Sequence, residues 1–235
     1  MTDRSTARAP SKTAPTAKSP ADRLVLAFDT SGPHCTAALL GDDSIIGATS
    51  EDMGRGQSEH LFPLLESLLR EAGLRWRDLS ALAVGVGPGN FTGIRIAVAA
   101  ARGVAMGLRV PAIGVSTFEA LREGCDTAAV LCSVAAPRGM VYLQAGDASP
   151  FGPILPDALP SLYRHKGLPV IGAEAEALSA VTGGEVLRPV HALAPAIARA
   201  AAKRATRQTQ LPQPLYIRSA DAAPSRDVPP VLLDE

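Results

Sequence analysis

Three short apolar segments follow one another closely near the start of this 235-residue chain, and they constrain the fold more than any other feature. They are LVLAFD at 24–29, CTAALL at 35–40 and IIGATSE at 45–51, separated only by short turns. Strands joined by short turns pair antiparallel, whereas parallel strands need a long crossover. The sequence therefore predicts an antiparallel three-stranded meander, which excludes a Rossmann βαβ unit at this point.

Alternating helix and strand patterns come after the meander. Apolar residues at helical spacing predict a helix over 58–72, which Gly73 ends. A buried strand at 81–87 then leads through a glycine-rich loop into a second helix at 91–107. With a further strand at 110–116, the first lobe is predicted to have the order β-β-β-α-β-α-β.

The second half of the chain repeats such patterns more weakly. It predicts four strands and two helices, namely strands at 127–136, 139–147, 168–172 and 185–190, and helices at 173–181 and 191–205. We therefore divide the chain into a disordered tail, a first lobe, a smaller second lobe and a Pro-rich tail that packs on the surface, with bounds 1–23, 24–116, 117–210 and 211–235.

Charge and composition exclude several classes of protein. Lys plus Arg and Asp plus Glu both number 23, and aromatic residues make up 4% of the chain, which argues against a stand-alone nucleic-acid binder. Residues 1–23 carry five basic and two acidic side chains without an apolar core, which is typical of a tail and not of a signal peptide. The three cysteines form no C-x-x-C pair, so we expect a reduced, cytoplasmic protein without a zinc site.

The loop GVGPGNFTGIR at 85–95 lies where backbone N–H groups at a helix start could hold an anion. Its spacing fits neither familiar phosphate motif: Gly87, Gly89 and Gly93 form G-x-G-x-x-x-G, and the lysine of a P-loop is missing. Two interpretations therefore remain equally weighted. The loop is either a relic phosphate loop or partner surface, or it is a tight strand-to-helix turn.

The turn after the first strand also carries polar side chains. Asp29, Thr30 and Ser31 could hold a metal-bound phosphate, but the same residue types form ordinary turns. Taken alone, this sequence favours the ordinary turn.

Two helices carry unusually broad apolar surfaces. Gly93, Ala97, Ala101 and Ala105 recur every four residues on the second helix, and a wide leucine face covers the first. A helix that is apolar almost all round must be buried on more than one side. This pattern favours a helix-pair interface with another subunit, and the alternative is that the two helices only pack on each other.

Residues suited to catalysis do not cluster in the sequence. The four histidines show no metal-ligand spacing, no G-x-S-x-G elbow is present, and the cysteines lie in apolar segments that favour inert thiols.

Three stretches lie in order within roughly residues 24–120: LVLAFDTSGPHCTAALL, SEHLFPLLESLL and AVGVGPGNFTGIRIAVAAARGVA. Together they resemble the TsaB (YeaZ) family. The segment PLYIRSADA at 214–222 is similar to that family's C-terminal ending. The resemblance implies an α/β protein of the actin-like ATPase (ASKHA) superfamily fold, with two RNase-H-like lobes. It further implies a non-catalytic homologue of TsaD, the transferase subunit that makes threonylcarbamoyladenosine at tRNA position 37.

The resemblance also implies what the chain lacks. TsaD carries an H-x-x-x-H metal motif on the equivalent helix, whereas this chain has His60 and Leu64 there, so the metal and its chemistry are expected to be absent. No cofactor is expected beyond weak ATP or ADP binding. The relic phosphate site would comprise Asp29, Thr30, Ser31, Gly87, Gly89 and Gly93.

The implied partners are TsaD in a heterodimer, TsaE in the full complex, and a second copy of this chain when TsaD is absent. Contact with tRNA is expected only through the complex, and none is expected with membranes. The interface is predicted to comprise His60, Leu61, Leu64, Leu65, Leu68, Phe91, Ile94, Arg95, Val98 and Arg102. Leu65→Arg is expected to abolish TsaD binding while the chain stays folded. The alternative function is a stand-alone phosphotransferase or metallopeptidase-like enzyme of the same fold.

Overall fold

A computed structural model describes residues 24–204 and 210–217. The predictions for the tail at 1–23 and for residues 218–235 lie outside this range. The first sheet has the strand order β3-β2-β1-β4-β5. Its strands are β1 (Leu24–Asp29), β2 (His34–Gly41), β3 (Ser44–Asp52), β4 (Ala81–Gly85) and β5 (Ala112–Val115).

The predicted meander is confirmed. Strand β1 pairs antiparallel with β2 and parallel with β4, so it occupies the centre of the sheet. Strand β5 extends the parallel half. The helices between these strands are α1 (Gln57–Glu71) and α2 (Phe91–Leu108), within one residue of the predicted bounds. The order β-β-β-α-β-α-β is therefore correct.

Alternate residues of β1 face opposite sides of this sheet, and each side is covered by helices. Leu26 and Phe28 belong to the core shared with α1 and α2, whereas Val25 and Ala27 pack with Ile197 of helix α5 (Leu193–Ala202). The sequence division placed 191–205 in the second lobe, and the structure corrects this. Helix α5 packs on the first sheet because its alanines give a flat surface that fits against the small side chains there.

The second sheet repeats the topology of the first. Its order is β10-β9-β6-β7-β8, with an antiparallel meander from β6 to β8 and parallel pairing of β6, β9 and β10. The strands are β6 (Leu131–Ala135), β7 (Val141–Ala145), β8 (Phe151–Ile154), β9 (Leu168–Gly172) and β10 (Gly183–Leu187). Helix α4 (Ala175–Thr182) packs on one face of it.

One strand and one α-helix of the described residues are not predicted by the sequence patterns. Strand β8 contains Gly152 and Pro153, residue types that weaken a strand pattern, and it lies at the edge of its sheet. Helix α3 (Thr117–Arg122) is only six residues long, but its capping box from Ser116 to Glu119 was visible in the sequence as S-x-x-E.

Helix α2 is long and apolar enough to cross a membrane by length and composition alone. Six of its residues lie in the interior, including Ile94, Ala97 and Ala101. Burial against its own sheet accounts for the apolar character of that side, as in the core helix of a globular domain.

Candidate functional site

The two loops that sequence analysis singled out lie directly against each other. Thr30 Oγ1 donates a hydrogen bond to Gly93 O at 2.7 Å, and Asn90 N donates to Ser31 O at 2.6 Å. A Cβ atom added to Gly93 or Gly89 would overlap the carbonyl oxygen of Thr30 or Ser31. The close approach of two backbones therefore explains both glycines.

The N–H groups of Thr92 and Gly93 at the start of α2 are bound within the chain. Asn90 Oδ1 accepts from Thr92 N at 2.9 Å and from Gly93 N at 3.2 Å, as an ordinary N-cap. Gly87 has a φ of +92°, a left-handed conformation that glycine adopts without strain. A phosphate would have to displace these internal bonds, so the geometry favours the tight-turn interpretation of this loop.

Asp29 is fully buried at the end of β1. Its Oδ1 accepts from Ser31 N, Ser31 Oγ and His34 Nε2, each at 2.9 Å. Its Oδ2 has no hydrogen-bond partner among the described residues and lies against Gly85, where a Cβ atom would overlap it. The structure thus brings the predicted phosphate residues together. The Asp29 carboxylate, however, holds the turn through its Oδ1, and its Oδ2 is buried against the backbone of Gly85.

A cleft of about 700 Å³ lies beside this turn, between the two lobes. The first lobe lines it with residues of the two loops, including His34 and Asn90, and the second lobe with Val134, Pro137 and Tyr142. Of the described residues that line it, none is Lys, Arg, Asp or Glu. Without a cation, this lining offers little electrostatic attraction to a phosphate group.

The position of the implied metal motif is occupied by other interactions. His60 Nε2 is hydrogen-bonded to Glu51 Oε2 at the surface, and Leu64 is only 4% exposed in the core. Among residues 24–204 and 210–217, no group of three or more His, Cys, Asp or Glu could hold a metal ion.

Burial makes the cysteines poor nucleophiles. It raises the pKa of the Cys35 thiol to about 11 and that of Cys132 to about 12. Nearby carboxylates, Glu51 first, add to the effect at Cys35. Both thiols stay protonated near neutral pH, which supports the sequence interpretation of them as inert.

Six of the predicted interface residues are core residues in this structure. Each is at most 4% exposed: Leu61, Leu64, Leu65, Leu68, Ile94 and Val98. They pack in the cluster that covers the first sheet, so the prediction that they face a partner is wrong for this chain as folded. The leucine face of α1 is broad because this helix contacts both β2 and β3 of the sheet and also packs against α2.

The remaining predicted interface residues of α2 contact the chain itself. Arg95 Nε donates to Tyr216 Oη at 3.0 Å, and Arg102 Nε donates to Pro212 O at 2.8 Å. The Arg95 guanidinium also lies 3.7 Å above the Phe91 ring. This side of α2 is therefore partly covered by residues 212–216.

A different stripe of α2 is open to solvent. Thr92, Ala99, Gly103 and Met106 are exposed, and Met106 is 81% exposed. No described atom lies within 4 Å of a Cβ added to Gly103 or Gly107. On α1, Phe62 is 41% exposed. We call Phe62 and these α2 residues the open helical face.

The sequence predicts a stripe of small residues on α2 as the surface that another helix approaches, but the structure buries that stripe. The stripe of Gly93, Ala97, Ala101 and Ala105 is buried against the sheet, with Ala97 and Ala101 fully inaccessible. The parallel stripe through Ala99 and Gly103 has the same small residues. Only the packing of the helix shows which stripe faces outward.

Two lobes of the same five-stranded topology that face a common cleft define an α/β protein of the actin-like ATPase (ASKHA) fold, with two RNase-H-like lobes. Solved structures agree. YeaZ from Pseudomonas aeruginosa superposes with a TM-score of 0.65 at 25% identity, covering 83% of this chain and 99% of that one. A second Pseudomonas aeruginosa structure, an uncharacterized protein with similarity to peptidase YEAZ, gives 0.67 at 24% identity, covering 83% and 100%.

Sequence comparison identifies the family within that fold. A family model described as TsaD, tRNA N6-adenosine threonylcarbamoyltransferase, matches residues 45–216. The chain is 36% identical to the tRNA threonylcarbamoyladenosine biosynthesis protein TsaB of Escherichia coli K12 over 122 residues, 50% of this chain and 52% of that protein. It is 32% identical to an uncharacterized protein of Mycobacterium tuberculosis H37Rv over 204 residues, 85% of this chain and 94% of that one. The chain belongs to the TsaB (YeaZ) family, and it spans about half the length of the named TsaB relatives that it matches.

Proposed function

We propose that this chain is a non-catalytic subunit that binds TsaD and supports threonylcarbamoylation of adenosine 37 in tRNA. It would act in the cytoplasm, with TsaE in the full complex, and would contact tRNA only through that complex. A second copy would occupy the same surface when TsaD is absent. The observation that carries this proposal is the open helical face in a chain of the TsaB family.

The absence of chemistry in this proposal rests on three features of the site. The second ligand position of the metal motif is a core leucine, Leu64. The N–H groups of Thr92 and Gly93 at the start of α2 are bound by Asn90. The Asp29 carboxylate is buried beneath the turn that it organises. The alternative is a phosphotransferase or metallopeptidase-like enzyme. It is less well supported because such an enzyme would need a metal ligand in place of Leu64, or free N–H groups at the start of α2 and an accessible carboxylate.

The open helical face suits close packing against another helix. Glycine in a helix interior costs about 1 kcal/mol relative to alanine, and no contact within the described chain requires Gly103 or Gly107. Small residues there let a second backbone approach, while Met106 and Phe62 add exposed apolar side chains. Two helices per side could approach the roughly 1,600 Å² of a standard interface.

For nucleotides, we propose at most weak ATP or ADP binding by the isolated chain. The cleft lining supports this because it lacks charged side chains among its described members. Isothermal titration calorimetry with ATP and Mg²⁺ tests it, and a micromolar dissociation constant for the isolated chain would contradict it.

Ala99→Leu tests the proposed interface, with Ala177→Leu as the matched control. Both alanines are exposed on helices, but Ala177 lies on α4 of the second lobe. We expect Ala99→Leu to reduce co-purification with TsaD at least tenfold, because the larger side chain separates the two helices, and Ala177→Leu to leave it unchanged. Circular dichroism should show both variants folded. Equal TsaD binding by the two variants would refute this interface.

A further inference from the structure

A short C-terminal segment without helix or strand contacts both lobes. It comprises residues 212–217, which we call the clamp. Pro212 is buried against β5, where a Cβ added to Gly114 would lie 3.2 Å from the Pro212 Cβ. A coil segment pays a large entropic cost to hold one conformation, so its contacts must be specific.

The clamp is hydrogen-bonded to the first lobe at three points. Arg102 Nε donates to Pro212 O at 2.8 Å, and Leu215 N donates to Val86 O at 2.8 Å. Arg95 Nε donates to Tyr216 Oη at 3.0 Å, and the Tyr216 ring lies 5.3 Å from that of Phe91. The clamp thus runs antiparallel to α2 and joins this helix to the end of β4.

The same segment contributes to the core of the second lobe. Leu215 packs against the cluster beneath α1 and α2 and also against a second cluster, which contains Val130, Cys132 and Ile171. Ile217 packs against the second cluster as well. That cluster covers the face of the second sheet opposite α4, so one leucine side chain is shared by the two lobes.

The clamp also forms part of a second groove between the lobes, of about 430 Å³. Val86 and Ser116 line it from the first lobe, Gln144 and Pro150 from the second, and Leu215 from the clamp. The clamp therefore lies where a change in the angle between the lobes would open or close a gap.

We propose that residues 212–217 set the separation of the two lobes and thereby the width of the 700 Å³ cleft. Leu215 provides the apolar contact with both lobes, and its N–H bond to Val86 holds it in register. Arg95 and Arg102 keep the clamp seated along α2. Movement between the lobes must then break these contacts first, so the clamp favours one cleft width.

Leu215→Ala tests this inference, with Leu211→Ala as the control. Leu211 is adjacent to the clamp and 60% exposed, so the same truncation removes no interior contact there. Spin labels on cysteines at the exposed positions Glu66 and Ala177 report the distance between the lobes by double electron–electron resonance, with the half-buried Cys125 replaced by serine. We expect Leu215→Ala to broaden the distance distribution, and Leu211→Ala to match the parent.

A milder variant keeps the test decisive if Leu215→Ala fails to fold. Arg102→Gln removes the bond to Pro212 O at a half-buried side chain, and Arg77→Gln is the exposed control. We expect amide exchange at Leu215 to accelerate about tenfold in Arg102→Gln only, because the clamp opens more often. Unchanged distance distributions together with unchanged Leu215 exchange would overturn the proposal.

Discussion

Two stripes of α2 both contain alanine and glycine, yet they have opposite environments. Ala97 and Ala101 are fully buried against the first sheet, whereas Ala99 and Gly103 face solvent. The buried stripe is explained within the chain because it lets the helix lie close to the strands. The open stripe has no such explanation among the described residues, which is why we propose that a partner covers it.

The largest expected difference in the free energy of unfolding is between two charged substitutions on α1. Leu65 is 1% exposed and Phe62 is 41% exposed. Leu65→Arg places an unpaired charge in the core, so we expect a loss of more than about 4 kcal/mol in the free energy of unfolding. This replaces the sequence-based expectation that Leu65→Arg leaves the chain folded. Phe62→Arg removes the ring contact with Trp76 and should cost only about 0.5–1.5 kcal/mol, while TsaD binding is lost.

Urea denaturation of both variants, followed by size-exclusion chromatography with TsaD, measures these effects. A stable Leu65→Arg chain would show that the leucine face is not the core of this lobe. Normal TsaD binding by Phe62→Arg would remove α1 from the proposed interface.

An intermediate effect is expected from the same substitution on the two stripes of α2. Ala97→Leu overpacks the contact with the sheet and should cost about 1–3 kcal/mol in the free energy of unfolding. Ala99→Leu should cost less than about 0.5 kcal/mol because its side chain extends into solvent. Thermal and urea denaturation measure both, and equal losses would contradict the assigned orientation of α2.

The smallest expected effect comes from Gly103→Ala, which should change the stability of the chain and its binding to TsaD in opposite directions. Gly103→Ala adds a methyl group that meets no described atom and restricts the unfolded chain, so it should stabilise the isolated chain by about 0.5–1 kcal/mol. If a partner helix approaches this point, the same change should weaken association with TsaD. Denaturation and surface plasmon resonance measure the two quantities, and a variant that improves both would argue against close packing there.

The order of the first lobe could be predicted because its signals are local. Strands β1 to β3 alternate with short turns, and α1 and α2 have apolar residues at helical spacing within a few turns. Strand β8 and helix α3 were missed because one carries Gly152 and Pro153 and the other is only six residues long. The grouping of Asp29, Thr30 and Ser31 with the glycine loop was also predictable, since both loops follow neighbouring strands at the same sheet edge.

The sequence by itself determined the type and order of the helices and strands of the first lobe, because hydrophobic period and turn chemistry act over a few residues. Only the tertiary structure decided which stripe of α2 faces the sheet, that α5 covers the first lobe, and that Leu215 contacts both lobes. These outcomes depend on packing energies between residues far apart in the chain. Several faces of one helix can have the same composition, and the fold selects the one that buries the most apolar surface without leaving a cavity.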